Sequence, residues 1–306
     1  MADTYGPVDA TARKLFLDNA TLALQQKESR FSDTFTYIPG LAGKEMQAVE
    51  LIGSSSAIRN LPHTAPTPHI PPKHIGLNVR PERLTWGRTV PGQTKITNVT
   101  DYNSIYVQEG TAAMVRGKDE ILFDAIFGPR LMANDASGAV NAVAWAGSTV
   151  AINETGAGAT GGNTGLVPGK LLKAIELLIN SEVFVEGEEI FCGVAGQDNS
   201  ALFLQNLFTS SDYRSVRGQF DKKVLDTVLG VKFVRYPSKL TQVGASTYRE
   251  LPLWLKSGMH WGEALPFTAD MANDPAAQFQ LRVQMDHWIG ATRSEDEKVI
   301  KILVTP

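Results

Sequence analysis

Gly156, Gly158 and Gly161 spell GxGxxG. Glycines at that spacing let a backbone close on a pyrophosphate at a helix N-terminus, the chemistry of a dinucleotide site. The context does not follow. No helix signal opens before Pro168, and no strand with a suitably spaced ribose-binding acid succeeds the motif. Gly165 with Gly169-Lys170 falls one residue short of a phosphate loop, and Leu171 stands where the magnesium-binding hydroxyl belongs. Lys170 is therefore read as a surface lysine at a helix start. His63, His69 and His74 lie within twelve residues, close enough for a metal if a turn gathered them. No cysteine or carboxylate lies inside that cluster, and the segment is proline-rich, so it reads as an extended loop with exposed histidines. His260 and His287 each neighbour a tryptophan and read as packed. Cys192 sits in an apolar stretch, whereas a reactive thiolate needs an electropositive, accessible setting. It reads as a small core residue. Arg116 and Asp119, three apart, either pair with each other or reach neighbours; as an exposed ion pair they would be worth little. No GxSxG, HExxH or paired-carboxylate signature is present. No catalytic residue, cofactor or metal site is expected.

Composition agrees. The chain has 306 residues, 43% of them hydrophobic, which is ample for a packed core. A net charge of −3 without a basic block gives no electrostatic capture of nucleic acid. One cysteine excludes an intrachain disulfide and suits a reducing cytoplasm. No apolar run reaches the ~18 residues of a membrane span, and the N-terminus lacks a signal-peptide core.

The elements that would position these residues are organised around one stretch, Asp101 to Phe127. Ile105, Ala112, Val115, Leu122 and Ile126 share a helical face, and Gly128-Pro129 ends the pattern. Gly110 and Gly117 interrupt it at a cost of about 1 kcal/mol each. They are either tolerated inside a buried helix or mark places where another backbone lies close. Before this helix, residues 9–30 predict an amphipathic helix with Leu15, Phe16 and Leu22 on its apolar stripe. From Phe31 to about Val99 the pattern is extended, with FTYIPGL, MQAVELIG and GLNVRPERLTWGRTV as strands around a segment bearing five prolines. That excursion has few bulky apolar residues and is expected to lean on a neighbour. After the helix, AVNAVAWAGSTVAINE predicts one or two strands, and TGAGATGGNTG a flexible loop. PGKLLKAIELLIN predicts a helix, EEIFCGVAG a buried strand, DNSALFLQNLF a helix capped by Asp198, and Val231 to Tyr236 a strand. These make a compact α/β unit from about 165 to 240. YRELPLWLKSGMHWGEAL is expected to be exposed in part, with two of the five tryptophans. Two closing strands flank the acidic turn Ser294-Glu297. The fold class is α+β.

Several stretches, in this order, resemble one branch of the tailed-bacteriophage major capsid proteins with the Hong Kong ninety-seven-type fold. They are Gln25-Gln26-Lys27-Glu28-Ser29-Arg30, then Thr67-Pro68 followed by Arg80 and Arg83, then Arg116-x-x-Asp119-x-Ile121, and finally Gly290-Ala291-x-Arg293 with Val299-x-x-Ile302. The resemblance implies an N-arm (1–30), an E-loop (31–98), a P domain (99–164) with a spine helix over 103–127, an A domain (165–245) and a return to the P domain (246–306). It implies a structural protein of the virion that self-assembles from pentamers and hexamers into an icosahedral shell around packaged double-stranded DNA, formed in the host cytoplasm. The implied partners are a scaffolding protein, separate if the chain is complete, a portal protein and decoration proteins. Leu15, Phe16, Leu22, Trp86, Arg80 and Arg83 become candidate inter-subunit contacts, as do exposed tryptophans. Gly110 and Gly117 become candidate flex points of the spine. The competing readings are an encapsulin-like bacterial compartment shell and, in another class, a nucleotide-binding α/β enzyme using the glycine loop.

Overall fold

A computed structural model describes residues 28–41, 46–53, 55–60, 62, 66, 74–90, 102–133, 140–156, 159–203, 226–243, 248–274, 276 and 280–305. The expected arm helix with Leu15, Phe16 and Leu22 lies outside these residues. So do Thr67, Pro68, His63, His69 and Gly158.

In chain order the elements are β1 (Thr36–Tyr37), β2 (Met46–Ile52), β3 (His74–Val79), β4 (Glu82–Val90) and the long helix α1 (Tyr102–Phe127). Then come β5 (Arg130–Ala133), β6 (Val140–Val143), β7 (Thr149–Val150), β8 (Glu154–Gly156), β9 (Ala159–Thr160), α2 (Pro168–Asn180), β10 (Ile190–Val194) and α3 (Gly196–Phe203). The rest are β11 (Thr227–Val228), β12 (Val231–Arg235), β13 (Gln242–Val243), β14 (Arg249–Leu255), β15 (Met259–Asp274), β16 (Gln280–Arg293) and β17 (Val299–Val304). The chain divides into two compact units, one of residues 1–29, 82–119 and 265–289, the other of 30–81, 120–264 and 290–306.

In the first unit β4 runs antiparallel to β16 in unbroken register from Glu82↔Ile289 to Val90↔Leu281. Met114 of α1 packs with Val283 and Met285 of β16, and Val107, Leu84 and Trp86 close over them. Each fully buried side chain of this size contributes about 1.5–3 kcal/mol.

The second unit holds a seven-stranded sheet with the order β11-β12-β10-β14-β17-β7, to which β13 adds beside β14. β10 is parallel to β12 and antiparallel to β14, β14 is antiparallel to β17, and β17 is parallel to β7. All of β10 is buried, as its apolar run predicts. Proline at the first turn starts α2, where its missing N–H costs nothing. A second sheet, β2-β3-β5-β6, joins strands from before and after α1. An aromatic cluster binds this unit. Phe31 lies 5.7 Å from Phe123 and 6.1 Å from Trp254, while Tyr236 lies 4.8 Å from Phe123.

Three expectations change here. The extended excursion does not lean only on a neighbour, because Phe31, Phe35, Leu41, Leu77 and Val79 are buried in the chain's own core. YRELPLWLKSGMHWGEAL is exposed only at its end, at Leu265, and its tryptophans are not surface features. Trp254 and Trp261 are buried, and Trp261 donates from its indole to the Ser32 carbonyl at 3.0 Å. Among the tryptophans only Trp288, at 38%, stands among the exposed large hydrophobics. The glycine-rich segment is not wholly a loop, because β8 and β9 pair antiparallel within it.

Candidate functional site

The polar groups buried in this chain hold elements together. On the closing strands, Arg293 is 1% exposed. Its Nη1 donates to the carbonyls of Ile126 at 2.7 Å and Gly128 at 3.0 Å, and its Nε to Asp296 at 2.6 Å. Helix ends leave carbonyls without intrahelical donors, and Arg293 supplies them at the end of α1. Arg130 adds a second cation to Asp296 at 3.2 Å. Burial lowers the Arg293 pKa, an effect that Asp296 partly offsets. Gly290, three residues earlier, lies so close to Val79 that a Cβ there would overlap it. The Gly290-Ala291-x-Arg293 stretch is thus a packing and capping device.

A second knot lies in the seven-stranded sheet. Lys170 is fully buried, correcting its reading as a surface residue. Its ammonium donates to the carbonyls of Thr164 and Leu303, both at 2.8 Å. Burial pulls its pKa down to about 8, opposed by Asp198 and then Glu154. Asp198 is not the cap of its helix. α3 begins at Gly196, and Asp198 lies inside its first turn, reaching back to accept from the Ala195 N–H at 2.9 Å, the acidic half of a capping box. Its carboxylate also receives Arg249 at 2.7 and 3.1 Å, and Arg249 donates onward to the Thr305 carbonyl.

The glycine motif has a structural use. A Cβ at Gly156, where φ is +118°, would lie 2.9 Å from Gly169 Cα, and one at Gly169 would overlap the Thr155 carbonyl. Two backbones touch there, at the start of α2. Cys192 is fully buried, and burial raises its thiol pKa. His287 is buried and His260 partly so. His74, half exposed, meets Glu50 at 2.7 Å across β2 and β3. Among the described residues no group of three or more His, Cys, Asp or Glu could hold a metal. No described helix is long and apolar enough to cross a membrane.

The remaining candidates separate. Trp86 is half-buried, and it fills the space that Gly110 leaves, since a Cβ on Gly110 would sit 2.6 Å from the indole and 2.7 Å from Met285 Sδ. Gly117 faces Leu84 in the same way, at 3.0 Å. Side chains, rather than another backbone, approach the helix at both glycines. Arg80 is exposed. Arg83 donates to Asp286 at 3.0 and 3.2 Å. Hydrogen bonds from Thr85, then Gln284, and the Arg83 cation hold the Asp286 carboxyl below its ordinary value. Of the two readings of Asp119, the exposed one gives way to the one in which it reaches a neighbour. It is 2% exposed and accepts from Ser29 Oγ at 2.6 Å.

A long helix is thus backed by long antiparallel strands, and the buried charges described above are spent on helix ends and strand carbonyls. The family model described as phage capsid protein matches residues 8–305. The chain belongs to that family, and it is a major capsid protein. Comparison with curated proteins gives no match. The fold is similar to the capsid of cyanophage P-SCSP1u (16% identity, TM-score 0.70, covering 96% of this chain and 94% of that one). It is also similar to the capsid of cyanophage Pam1 (15%, 0.68, 100% and 99%). The capsid of Helicobacter pylori bacteriophage KHP30 shares it too (9%, 0.68, 94% and 94%). This is the α+β Hong Kong ninety-seven-type fold that the sequence resemblance implied.

Proposed function

We propose that this capsid protein forms pentamers and hexamers that tile an icosahedral head around double-stranded DNA, held without sequence preference. Assembly takes place in the host cytoplasm around a separate scaffolding protein and a portal, with decoration proteins on the finished shell. The protein performs no catalysis and carries no cofactor. The observation that carries this reading is the family match over nearly the whole chain, joined to buried charges that serve only to tie elements together.

Within this reading, residues 1–30 are the N-arm, 31–98 the E-loop, 99–164 and 246–306 the P domain, and 165–245 the A domain. Leu15, Phe16, Leu22, Arg80, Arg83 and Trp86 are contacts between neighbours, and Gly110 and Gly117 let the spine bend as the shell expands. Negative-stain electron microscopy of the purified chain, with and without candidate scaffold, tests the proposal. Closed shells, tubes or five- and six-membered rings are expected. A monomer or small dimer under every condition would overturn it. Nuclease-protected DNA in the particles, rather than an enzyme cargo, separates a phage head from an encapsulin-like shell.

A further inference from the structure

One ammonium of the second unit is enclosed by aromatic rings. Lys301, on β17, holds its Nζ 4.7 Å from the ring centre of Phe127 and 4.7 Å from that of Trp145. Glu250, on β14, closes a third side with its carboxylate 2.7 Å from the same nitrogen. The two rings stand 5.4 Å apart, edge to face. All four residues belong to the same unit. A cation within about 6 Å of a ring centre is drawn to the negative quadrupole of its face. Two such faces and a carboxylate therefore converge on one charge.

Each wall is set by something other than the lysine side chain. Phe127 is the last residue of α1, and Arg293 holds the carbonyls on either side of it, those of Ile126 and Gly128. Trp145 lies between β6 and β7, where the chain passes close to its ring. A Cβ on Gly147 would lie 2.8 Å from the indole nitrogen. Glu250 is placed by the backbone pairing of β14 with β17, opposite Leu303. The enclosure is still open to solvent. The side chains of Lys301 and Glu250 are 17% and 14% exposed, and both rings are half-buried. A lysine ordinarily lays its stem on the protein and keeps its charge in water. This one turns the charge onto two rings with water within reach.

We infer that Phe127, Trp145 and Glu250 form a binding site for an alkylammonium group, which Lys301 fills in the folded chain. The carboxylate selects the positive charge, and the rings receive the nitrogen together with the methylene beside it. A neutral alcohol of the same shape gains neither attraction. The charge of Lys301 thereby fastens the last strand to the end of the long helix.

Chemical rescue tests the site. Lys301→Ala in the full chain removes three methylenes and the ammonium, which propylammonium replaces atom for atom. The thermal midpoint of the variant should fall by a few degrees. Propylammonium chloride should restore most of that loss, binding in the roughly millimolar range expected of so small a ligand. Propanol should restore none of it, nor should sodium chloride at equal ionic strength. Lys301→Met keeps a stem without the charge, so its midpoint should also fall, and the amine should not raise it. Lys301→Ala combined with Trp145→Leu should lose the response to the amine. If Lys301→Ala does not fold alone, its refolded yield with propylammonium against propanol makes the same comparison. The site would be overturned by an amine effect no larger than that of propanol, by rescue that survives the loss of Trp145, or by a Lys301→Met chain as stable as wild type.

Discussion

Arg293 donates to the carbonyl of Ile126 at 2.7 Å, across 167 residues of chain. One guanidinium ends the long helix and, through Asp296, begins the turn into the last strand. A lysine would place its donors on a single nitrogen, without the planar fork that here serves the helix carbonyls through Nη1 and Asp296 through Nε. Removing one partner of a buried pair costs about 3–5 kcal/mol. Arg293→Met should therefore lower unfolding stability by that order in urea titrations, with Arg293→Lys intermediate.

Gly110 gives a second test. Alanine is favoured over glycine in a helix by about 1 kcal/mol, yet a methyl here meets Trp86 and Met285 inside van der Waals distance. Overpacking costs about 1–3 kcal/mol. Gly110→Ala should be destabilising, and less so in a Trp86→Leu background, as a double-mutant cycle would measure. Gly117→Ala should be nearly neutral, since the flexible Leu84 can yield. It is accordingly the cleaner variant for asking whether helix compliance matters in shell expansion.

Lys170 sets a pH dependence. Its folded pKa of about 8 lies below the 10.5 of an ordinary lysine. Between these values the unfolded chain holds the proton and the folded chain has released it, so this group makes stability rise with pH across that window. Its penalty is full below pH 8 and gone above 10.5. Lys170→Met removes the dependence. The stability of wild type relative to the variant should grow by up to about 3 kcal/mol from pH 8 to 10.5. A flat difference in paired denaturation curves would refute this.

The elements with strong local signals were legible in the sequence. Helix α1 declared itself by Ala112, Leu122 and Ile126 and by the Gly128-Pro129 stop, and α2 by its leading Pro168. β10 was visible as an unbroken apolar run. Lys170 was not, because a lysine is ordinarily placed at a surface. Its register was nonetheless a clue, since it falls four residues before Ala174 and eight before Leu178 on the buried stripe. Trp254 was misplaced because β14 is buried from Leu251 to Leu255, without the alternation that marks a half-buried strand. Asp119 and Arg293 acquire their roles from partners 90 and 167 residues away, at separations no local pattern encodes.

β17 follows every other described strand in chain order, yet it lies between β14 and β7 within the largest described sheet. Its Leu303 carbonyl receives Lys170, and the Thr305 carbonyl just beyond it receives Arg249. During synthesis, β14 and β7 must wait for a common neighbour that emerges from the ribosome after both. A nascent chain cut short before Val299 would leave both strands with open edges and two buried cations without these acceptors. Synthesis of β17 is thereby a condition for finishing the sheet, which cannot close while its central partner is still to come.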